Sequence, residues 1–243
     1  MIMIIPFFNK PTVKFYSEFP TLTDLYPIYP SKNYQRKWVN RCAKSFAKYK
    51  KKSDGRYTNI STIKCPGIRN IMKNGYIIPS WCDFTIETSK DDLYGFKVYY
   101  PTQLEQFLEE NNYKKPIISS FNMKMSPLKI PTRDNLKSIL KVWIPYSYEI
   151  PKGYELMILP VQYDDDSPFT ACSGSIEGFQ IDLNIDLYWH EINNRVTIPA
   201  GTPLCQIIII KKSNINIEVL PADINIKKRT KSRLFQKFNK FQL

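Results

Sequence analysis

Hydrophobic and polar residues alternate without a break over residues 179–190. Every second side chain is apolar, as in a strand that buries one face and exposes the other. The apolar face consists of Phe179, Ile181, Leu183, Ile185, Leu187 and Trp189. The polar face consists of Gln180, Asp182, Asn184, Asp186, Tyr188 and His190. The pattern predicts a single long, half-buried strand.

Much of the remaining chain also has strand-like patterns, and Pro, Gly or Asn separate most of the segments. Beyond residue 138, the predicted strands cover residues 140–144, 154–161, 195–198, 204–210 and 215–220. Before residue 101, they cover residues 57–63, 76–78, 84–86 and 96–100, with Gly67 and Gly75 as turn residues. Short strands at this spacing are typical of a sandwich or a barrel. The sequence therefore predicts a mainly β fold with two or three short helices.

Two segments follow the helical period instead. Over residues 34–50, apolar side chains recur at steps of four, four, four and three, and most basic side chains lie off that stripe. This pattern predicts a basic amphipathic helix. A second helix is predicted to start at Thr102, where Thr102 and Glu105 form the pattern of a capping box, and to end near Asn111. Residues 115–135 are predicted to form a loop.

The N-terminal segment is rich in proline, with Pro6, Pro11, Pro20, Pro27 and Pro30. Because proline disfavours helix interiors and central strands, residues 1–30 are predicted to form an extended arm over a surface. The expected organisation is this arm, a basic helix over residues 31–55, a β-rich barrel domain over residues 56–220 with a helical insertion near residues 101–138, and a basic tail over residues 221–243.

The charge of the chain changes this picture, because it is concentrated in two places. The chain has 243 residues and a net charge of +13, from 35 basic and 22 acidic residues. Residues 31–53 hold nine basic residues and residues 227–243 hold seven, with no acidic residue in either segment. The rest of the chain keeps 19 basic and 22 acidic residues, a net charge of −3. The predicted body is thus nearly neutral, and two appendages carry the excess.

Such segregation favours contact with a polyanion, an acidic membrane surface or an acidic partner, and the alternative is solvated surface charge. The candidate nucleic-acid or partner contacts are Lys37, Arg41, Lys44, Lys48, Lys227, Lys228, Arg229, Lys231 and Arg233. Lys outnumbers Arg 27 to 8, and the chain has 31 Ile and 17 Asn. This composition is typical of coding in AT-rich genomes, as in many viruses and phages.

Few residues suit metal or cofactor chemistry. The five cysteines, Cys42, Cys65, Cys82, Cys172 and Cys205, include no C-x-x-C pair, and His190 is the one histidine. These residues predict buried thiols in a reducing compartment rather than a zinc site. The consecutive Asp164, Asp165 and Asp166 could bind a divalent cation, but a solvated loop is the favoured interpretation because oxygen ligands are usually spaced. No metal and no cofactor are expected.

Several motifs between residues 150 and 210 resemble the trimeric dUTP pyrophosphatases, whose fold is a β-clip, a distorted jelly-roll barrel. Residues 150–154, Ile-Pro-Lys-Gly-Tyr, followed by Pro160, are similar to the P-x-G-Y strand of that family and its closing proline. Residues 174–177, Gly-Ser-Ile-Glu, resemble its third motif, Gly-x-Ile-Asp. Residues 198–207 resemble its I-x-x-G-D-R-I-A-Q-L strand, and residues 81–84, Trp-Cys-Asp-Phe, resemble its Ala-Gly-x-Asp-Leu motif. The resemblance implies a dUTPase-like scaffold, with a trimer as the expected assembly.

The departures from that family concern its catalytic groups. The family holds phosphate with Arg-Ser-Gly after the closing proline, whereas Val161, Gln162 and Tyr163 stand here and three aspartates follow. Glu177 replaces the aspartate that activates water, and its extra methylene displaces the carboxylate by about an ångström. The Gly-rich C-terminal lid is missing, since no glycine follows Gly201. Glu177 and Asp83 remain the catalytic candidates that the resemblance implies.

Two functions are therefore expected from different classes. The favoured one is a non-enzymatic structural or accessory protein of a virus or phage, in which the dUTPase-like barrel is an assembly scaffold for a homo-oligomer or for other particle subunits. The alternative is a divergent nucleotide-binding or nucleotide-hydrolysing enzyme that uses Glu177 and Asp83. The chain lacks an apolar run of about 18 residues, so no transmembrane segment is expected. The absence of a signal-peptide pattern at Met1–Phe8 predicts the host cytoplasm or the virion.

Overall fold

A computed structural model describes residues 11–42, 65–92, 94–122, 136, 138–164, 167–180 and 182–217. The chain divides into two compact units, residues 1–211 and residues 212–243. The elements below belong to the first unit, whose described residues form fifteen strands in four antiparallel sheets and a few short helices. The predicted mainly β class is thus confirmed. In the described residues, no helix combines the length and the apolar character needed to cross a membrane.

The helices are α1 (Pro20–Thr23), α2 (helical at residues 37–42), α3 (Pro66–Lys73) and α4 (Thr102–Glu110), and Ser31–Asn33 is a 3-10 turn. The strands are β1 (Lys14–Ser17), β2 (Tyr29–Pro30), β3 (Tyr76–Pro79), β4 (Phe84–Thr88), β5 (Phe96–Tyr99), β6 (Ile118–Asn122), β7 (Ser138–Ile144), β8 (Tyr146–Glu149), β9 (Tyr154–Leu159), β10 (Phe169–Ala171), β11 (Gly174–Ile176), β12 (Phe179–Gln180), β13 (Leu183–Trp189), β14 (Arg195–Ile198) and β15 (Pro203–Lys211).

The strand orders of the four sheets are β1-β8-β12, β10-β13-β7-β6, β11-β9-β15-β3-β2 and β14-β4-β5. Within the described residues, no sheet closes on itself, so the predicted barrel appears as four separate sheets. Their inner faces share one hydrophobic core, in which Trp189, Leu156 and Phe84 are among the fully buried side chains. Burial of apolar surface of this kind is the main favourable term in folding.

The predicted twelve-residue strand is broken into β12 and β13. Leu183 pairs with Ile144 of β7, but Gln180 pairs with Tyr148 of β8, which belongs to another sheet. Pro145 separates β7 from β8 and cannot donate a hydrogen bond to a ladder. Because the partner strand changes sheet at Pro145, the alternating strand changes sheet with it. The alternation of buried and half-buried side chains is kept throughout β13.

Two helix predictions, one turn prediction and one loop prediction need correction. Residues 34–36 are not helical, and α2 begins at Lys37. Gly67 lies inside α3 rather than in a turn, with Pro66 at the first helical position, where its missing N–H costs nothing. Thr102 is the first residue of α4 rather than its cap, since Pro101 caps it without a side-chain hydrogen bond. The predicted loop over residues 115–135 contains β6.

The N-terminal segment packs on the body through residues 14–30. β1 pairs with β8, and the ring of Phe19 contacts Trp81, Phe107, Tyr113 and Trp143 at centroid distances of 5.2–6.2 Å. The prolines of the N-terminal segment do not exclude helix, because Pro20 occupies the first position of α1.

Gly75 follows α3 with a φ of +73°, and a Cβ there would collide with the carbonyl oxygen of Ile207. This turn therefore requires glycine.

Candidate functional site

The loop at residues 160–164, which we call the covered loop, follows β9 and takes the place of the phosphate-binding motif in the resemblance. It is covered by residues 34–38 of the same chain, which we call the docking segment. The Arg36 Nε donates to the carbonyl oxygen of Gln162 at 2.5 Å. The Trp38 Nε1 donates to the carbonyl oxygen of Tyr163 at 2.5 Å. The Tyr34 hydroxyl donates to Asp164 Oδ2 at 3.2 Å.

Arg36 is the centre of this contact and is only 5% exposed. Its guanidinium lies 5.1 Å from the centroid of the Tyr34 ring, in a cation–π contact. Burial lowers the pKa of Arg36, while the neighbouring Tyr34 and Asp164 raise it. Burial, followed by the charge of Asp164, raises the pKa of Tyr34 well above its usual range. The Nη2 of Arg36 is buried and has no hydrogen-bond partner among the described residues.

Gln206 of β15 supports the covered loop from behind and is completely buried. Its Oε1 accepts a hydrogen bond from the backbone N–H of Gln162 at 3.3 Å. Its Nε2 donates to the carbonyl oxygens of Ile71 and Asn74 at 2.7 and 2.6 Å, at the C-terminal end of α3. One side chain therefore satisfies three backbone groups and joins β15, α3 and the loop.

These contacts occupy hydrogen-bonding groups of the covered loop. Its backbone oxygens at residues 162 and 163 bond to side chains of the docking segment, and its Asp164 bonds to Tyr34. The docking segment lies within the basic segment at residues 31–53. The covered loop thus holds part of that basic segment in place.

A second turn, residues 80–83, carries Asp83, and we call it the open turn. Backbone hydrogen bonds join it to the turn before β15, from Ser80 N to Thr202 O and from Gly201 N to Ser80 O. Asp83 Oδ1 accepts a hydrogen bond from the backbone N–H of Ala200 at 2.6 Å. One carboxylate oxygen of Asp83 is therefore used in joining the two turns.

The open turn borders a cleft of about 340 Å³. The cleft is lined by Leu22, Tyr26, Trp81, Cys82, Asp83, Pro101, Gln103, Leu104, Phe107 and Ala200. Cys82 is 7% exposed, and burial, together with the charge of Asp83, raises its pKa to about 12. Thiolates are the reactive form of cysteine, so this thiol is poorly suited to nucleophilic chemistry.

Glu177, the second catalytic candidate, lies on the surface between β11 and β12. Its neighbour Ile176 pairs with Leu156 of β9, and Leu156 pairs with Ile209 near the end of β15. Asp83, by contrast, contacts the turn that precedes the start of β15 at Pro203. Six residues of strand separate these two positions, which corresponds to about 20 Å. Within one chain, Glu177 and Asp83 therefore do not form a catalytic pair.

Of the predicted basic contacts, two lie in the described residues. Lys37 and Arg41 are exposed on α2 and are four residues apart, which places them on one side of the helix. Lys44, Lys48, Lys227, Lys228, Arg229, Lys231 and Arg233 lie outside the described residues, as do the predicted strand at residues 57–63 and the tail.

The other candidates for chemistry stay separate. His190 Nε2 lies 2.6 Å from Thr170 Oγ1, and burial lowers its pKa. Lys115 forms an ion pair with Asp182 at 3.0 Å. Of the aspartates at 164–166, only Asp164 is among the described residues, in which no group of three acidic, His or Cys side chains could hold a metal ion.

The prediction of buried thiols holds for only part of the cysteines. Cys82 and Cys205 are buried, and Cys172 is intermediate in exposure. Cys42 and Cys65 are exposed and are therefore corrections to that prediction. Cys42 fell on the apolar stripe in the sequence pattern, but only the packing of α2 decides which of its side chains are covered.

The sequence pattern did not identify Arg36 or Gln206 as site residues. Arg36 was counted as one of nine basic residues, and among the four of them that the structure describes it alone is buried, which the pattern of charges does not show. One feature of the sequence could have indicated Gln206, since it matches the Gln of the family strand that residues 198–207 resemble.

No model of a known protein family matches this chain, and a search of curated proteins finds no relative.

Proposed function

We propose that this protein is a non-enzymatic structural or accessory protein of a virus or phage, acting in the host cytoplasm or the virion. In this proposal, a dUTPase-like β-clip serves as an assembly scaffold for a homo-oligomer, with a trimer as the expected state. The basic segments contact nucleic acid or partner subunits. The AT-rich composition and the segregated charge of the sequence support this proposal.

The observation that carries the proposal is the docking of residues 34–38 on the covered loop. A dUTPase-like enzyme would need this loop to hold phosphate, but here Gln162 and Tyr163 hold Arg36 and Trp38 instead. A scaffold function needs neither a phosphate site nor a catalytic pair.

The same docking supports a role for the basic region in binding. Arg36 and Trp38 fix the start of α2 to the body, and Lys37 and Arg41 are exposed on that helix. A fixed pair of cations loses less conformational entropy on binding than a pair on a free chain. Binding to a polyanion through such residues releases counterions, so the affinity depends steeply on salt.

Nucleotide turnover tests the non-enzymatic part of the proposal. The purified full chain is incubated with each dNTP and Mg²⁺, and pyrophosphate release is measured beside a Glu177→Gln variant. We expect no release above the buffer control for either protein. Turnover that disappears in Glu177→Gln would overturn the proposal and would establish the alternative, a divergent nucleotide hydrolase.

Binding to nucleic acid tests the role of the basic region. The affinity for a duplex DNA is measured by fluorescence anisotropy over a series of salt concentrations, with Lys37→Gln/Arg41→Gln as the variant. Lys90→Gln/Lys152→Gln is the matched control, because both residues are exposed on the body and the change in charge is equal. We expect the salt slope to fall by about two for the first pair and to stay unchanged for the control. Equal slopes for both pairs would remove α2 from the interface.

The oligomeric state tests the scaffold. Light scattering coupled to size exclusion is expected to give a trimer at micromolar protein concentration. A monomer at all concentrations would contradict assembly into a homo-oligomer and would leave other subunits as the partners to be tested by purification of intact particles.

A further inference from the structure

A cavity of about 180 Å³ lies beside the docking segment, on residues that have no counterpart among the family motifs. The polar residues of its lining include Lys32, Gln35, Arg36, Asn40 and Lys73, and Val39 and Met72 supply apolar surface. Three of the five polar residues are cations, and the two amides can donate hydrogen bonds. Its volume is several times the ~30 Å³ that one water molecule occupies. A small ligand therefore has room in this cavity.

Arg36 is the unusual member of this set. Its relative exposure is 5%, and its Nη2, which is closed to water, has no hydrogen-bond partner among the described residues. Buried polar groups in folded proteins are nearly always paired, so this guanidinium keeps hydrogen-bonding capacity that the described residues do not use. A guanidinium is also the cation that best matches the paired oxygens of an oxyanion.

The charge around the cavity sets the chemical class of that ligand. Lys32, Arg36 and Lys73 carry three positive charges, and Asp164, which bonds to Tyr34, carries the nearest negative charge found for Arg36. The net charge of this group is +2. Because the Arg36 side chain is largely buried, its charge is less screened by water than that of an exposed cation.

We propose that this cavity binds an anion of the phosphate class, held by Lys32, Arg36 and Lys73. The anion could be free phosphate or a phosphate group of a larger molecule such as nucleic acid, since both present the same tetrahedral oxygens. The site lies at the start of α2, directly before Lys37. The proposal does not depend on the assembly function, because free phosphate tests it without any partner.

The direct test uses inorganic phosphate and pyrophosphate as probes, with chloride at equal ionic strength as the reference. Binding is measured by isothermal titration calorimetry and by the melting temperature of the full chain. We expect saturable binding of both probes and a rise in melting temperature that chloride does not give. A melting temperature that depends only on ionic strength would overturn the proposal.

Variants locate the site. Lys32→Gln/Lys73→Gln changes two exposed residues, so it leaves the core intact, and we expect the affinity for phosphate to fall at least tenfold. Lys90→Gln/Lys152→Gln removes the same charge outside the cavity and is expected to bind phosphate with unchanged affinity. Equal losses in the two variants would overturn the proposal, because they would show a general charge effect.

Competition identifies the source of the phosphate group. Phosphate is added to the complex of the protein with duplex DNA at constant ionic strength. If phosphate displaces DNA from the unchanged protein but not from Lys32→Gln/Lys73→Gln, this result supports binding of a nucleic-acid phosphate group in the cavity. Saturable phosphate binding without displacement supports a site for a free phosphate compound. If DNA does not bind at all, the assembly function loses its nucleic-acid partner, but the phosphate titration still tests the cavity.

Discussion

The covered loop and the open turn occupy two motif positions of the same resemblance, but the chain uses them differently. At the covered loop, residues about 125 positions away in sequence bring an arginine and a tryptophan onto backbone oxygens. At the open turn, Asp83 binds the neighbouring turn, and a cleft of about 340 Å³ remains beside it. The comparison shows that one loop of this fold is covered by a segment far away in sequence, whereas another turn pairs with its neighbour and stays open beside a cleft.

The covered loop and the open turn differ in where their backbone groups find hydrogen-bond partners. The covered loop presents the carbonyl oxygens of Gln162 and Tyr163, which need donors, and the docking segment supplies them. The open turn pairs its backbone groups with residues 201 and 202, so it needs no added segment. Four predictions test this comparison.

The largest effect is expected for Gln206→Leu. The variant leaves the carbonyl oxygens of Ile71 and Asn74 and the N–H of Gln162 without their partner in the interior. We expect a loss of about 3 kcal/mol in the free energy of unfolding, since each unpaired buried group costs about 1–3 kcal/mol. Urea denaturation measures it. Gln180→Leu, at an exposed position of β12, is the control and should change stability by less than about 0.5 kcal/mol. Similar losses in both variants would contradict the support that Gln206 gives to the covered loop.

The next effect concerns the reactivity of Cys82 in the open turn. With its pKa raised to about 12, Cys82 carries far less thiolate at pH 8 than an ordinary thiol with a pKa of about 8.5. We expect alkylation by iodoacetamide at least a hundredfold slower at Cys82 than at the exposed Cys65, as followed by mass spectrometry. Rates within tenfold of each other would show that the cleft exposes the thiol and that the open turn is less well packed than described.

A smaller effect is expected for Trp38→Phe in the docking segment. The variant keeps an aromatic ring but removes the hydrogen bond to Tyr163 O, at a site that is partly open to water. A loss of about 0.5–1 kcal/mol in the free energy of unfolding is expected. Tyr99→Phe removes an exposed hydrogen bond to Glu87 and serves as the control, with an effect near zero. If Trp38→Phe were as silent as the control, the docking would depend on Arg36 alone.

The smallest effect is expected for Asp83→Asn. The amide keeps an oxygen that can accept from Ala200 N, so the joint between the two turns survives without the charge. We expect a change of less than about 0.5 kcal/mol in stability by thermal or urea denaturation. Asp83→Ala, which removes the acceptor, should cost about 1 kcal/mol. Equal costs for the two variants would mean that the charge, rather than the hydrogen bond, holds the open turn.

The sequence predicted strands best where the local alternation of apolar and polar residues matches the faces that the fold buries and exposes. β14 has the bounds that alternation and turns indicated, and β13 keeps the predicted alternation. The prediction failed where a long-range contact overrides the local pattern. Tyr34 fits the predicted helical stripe and Arg36 lies within the predicted helix, but their side chains reach the covered loop, and α2 begins only at Lys37. No periodicity could show this, since the partner residues are far away in sequence.

What the sequence by itself determined is the β class, the segregation of charge and most strand positions, because alternation and turn residues act within a few neighbouring positions. The tertiary structure alone decided that Arg36 is buried, that a strand breaks opposite Pro145, and that the positions on β15 nearest to Glu177 and to Asp83 lie about 20 Å apart. The contacts involved join residues far apart in the sequence, because the partner of a buried donor or acceptor can come from any part of the chain.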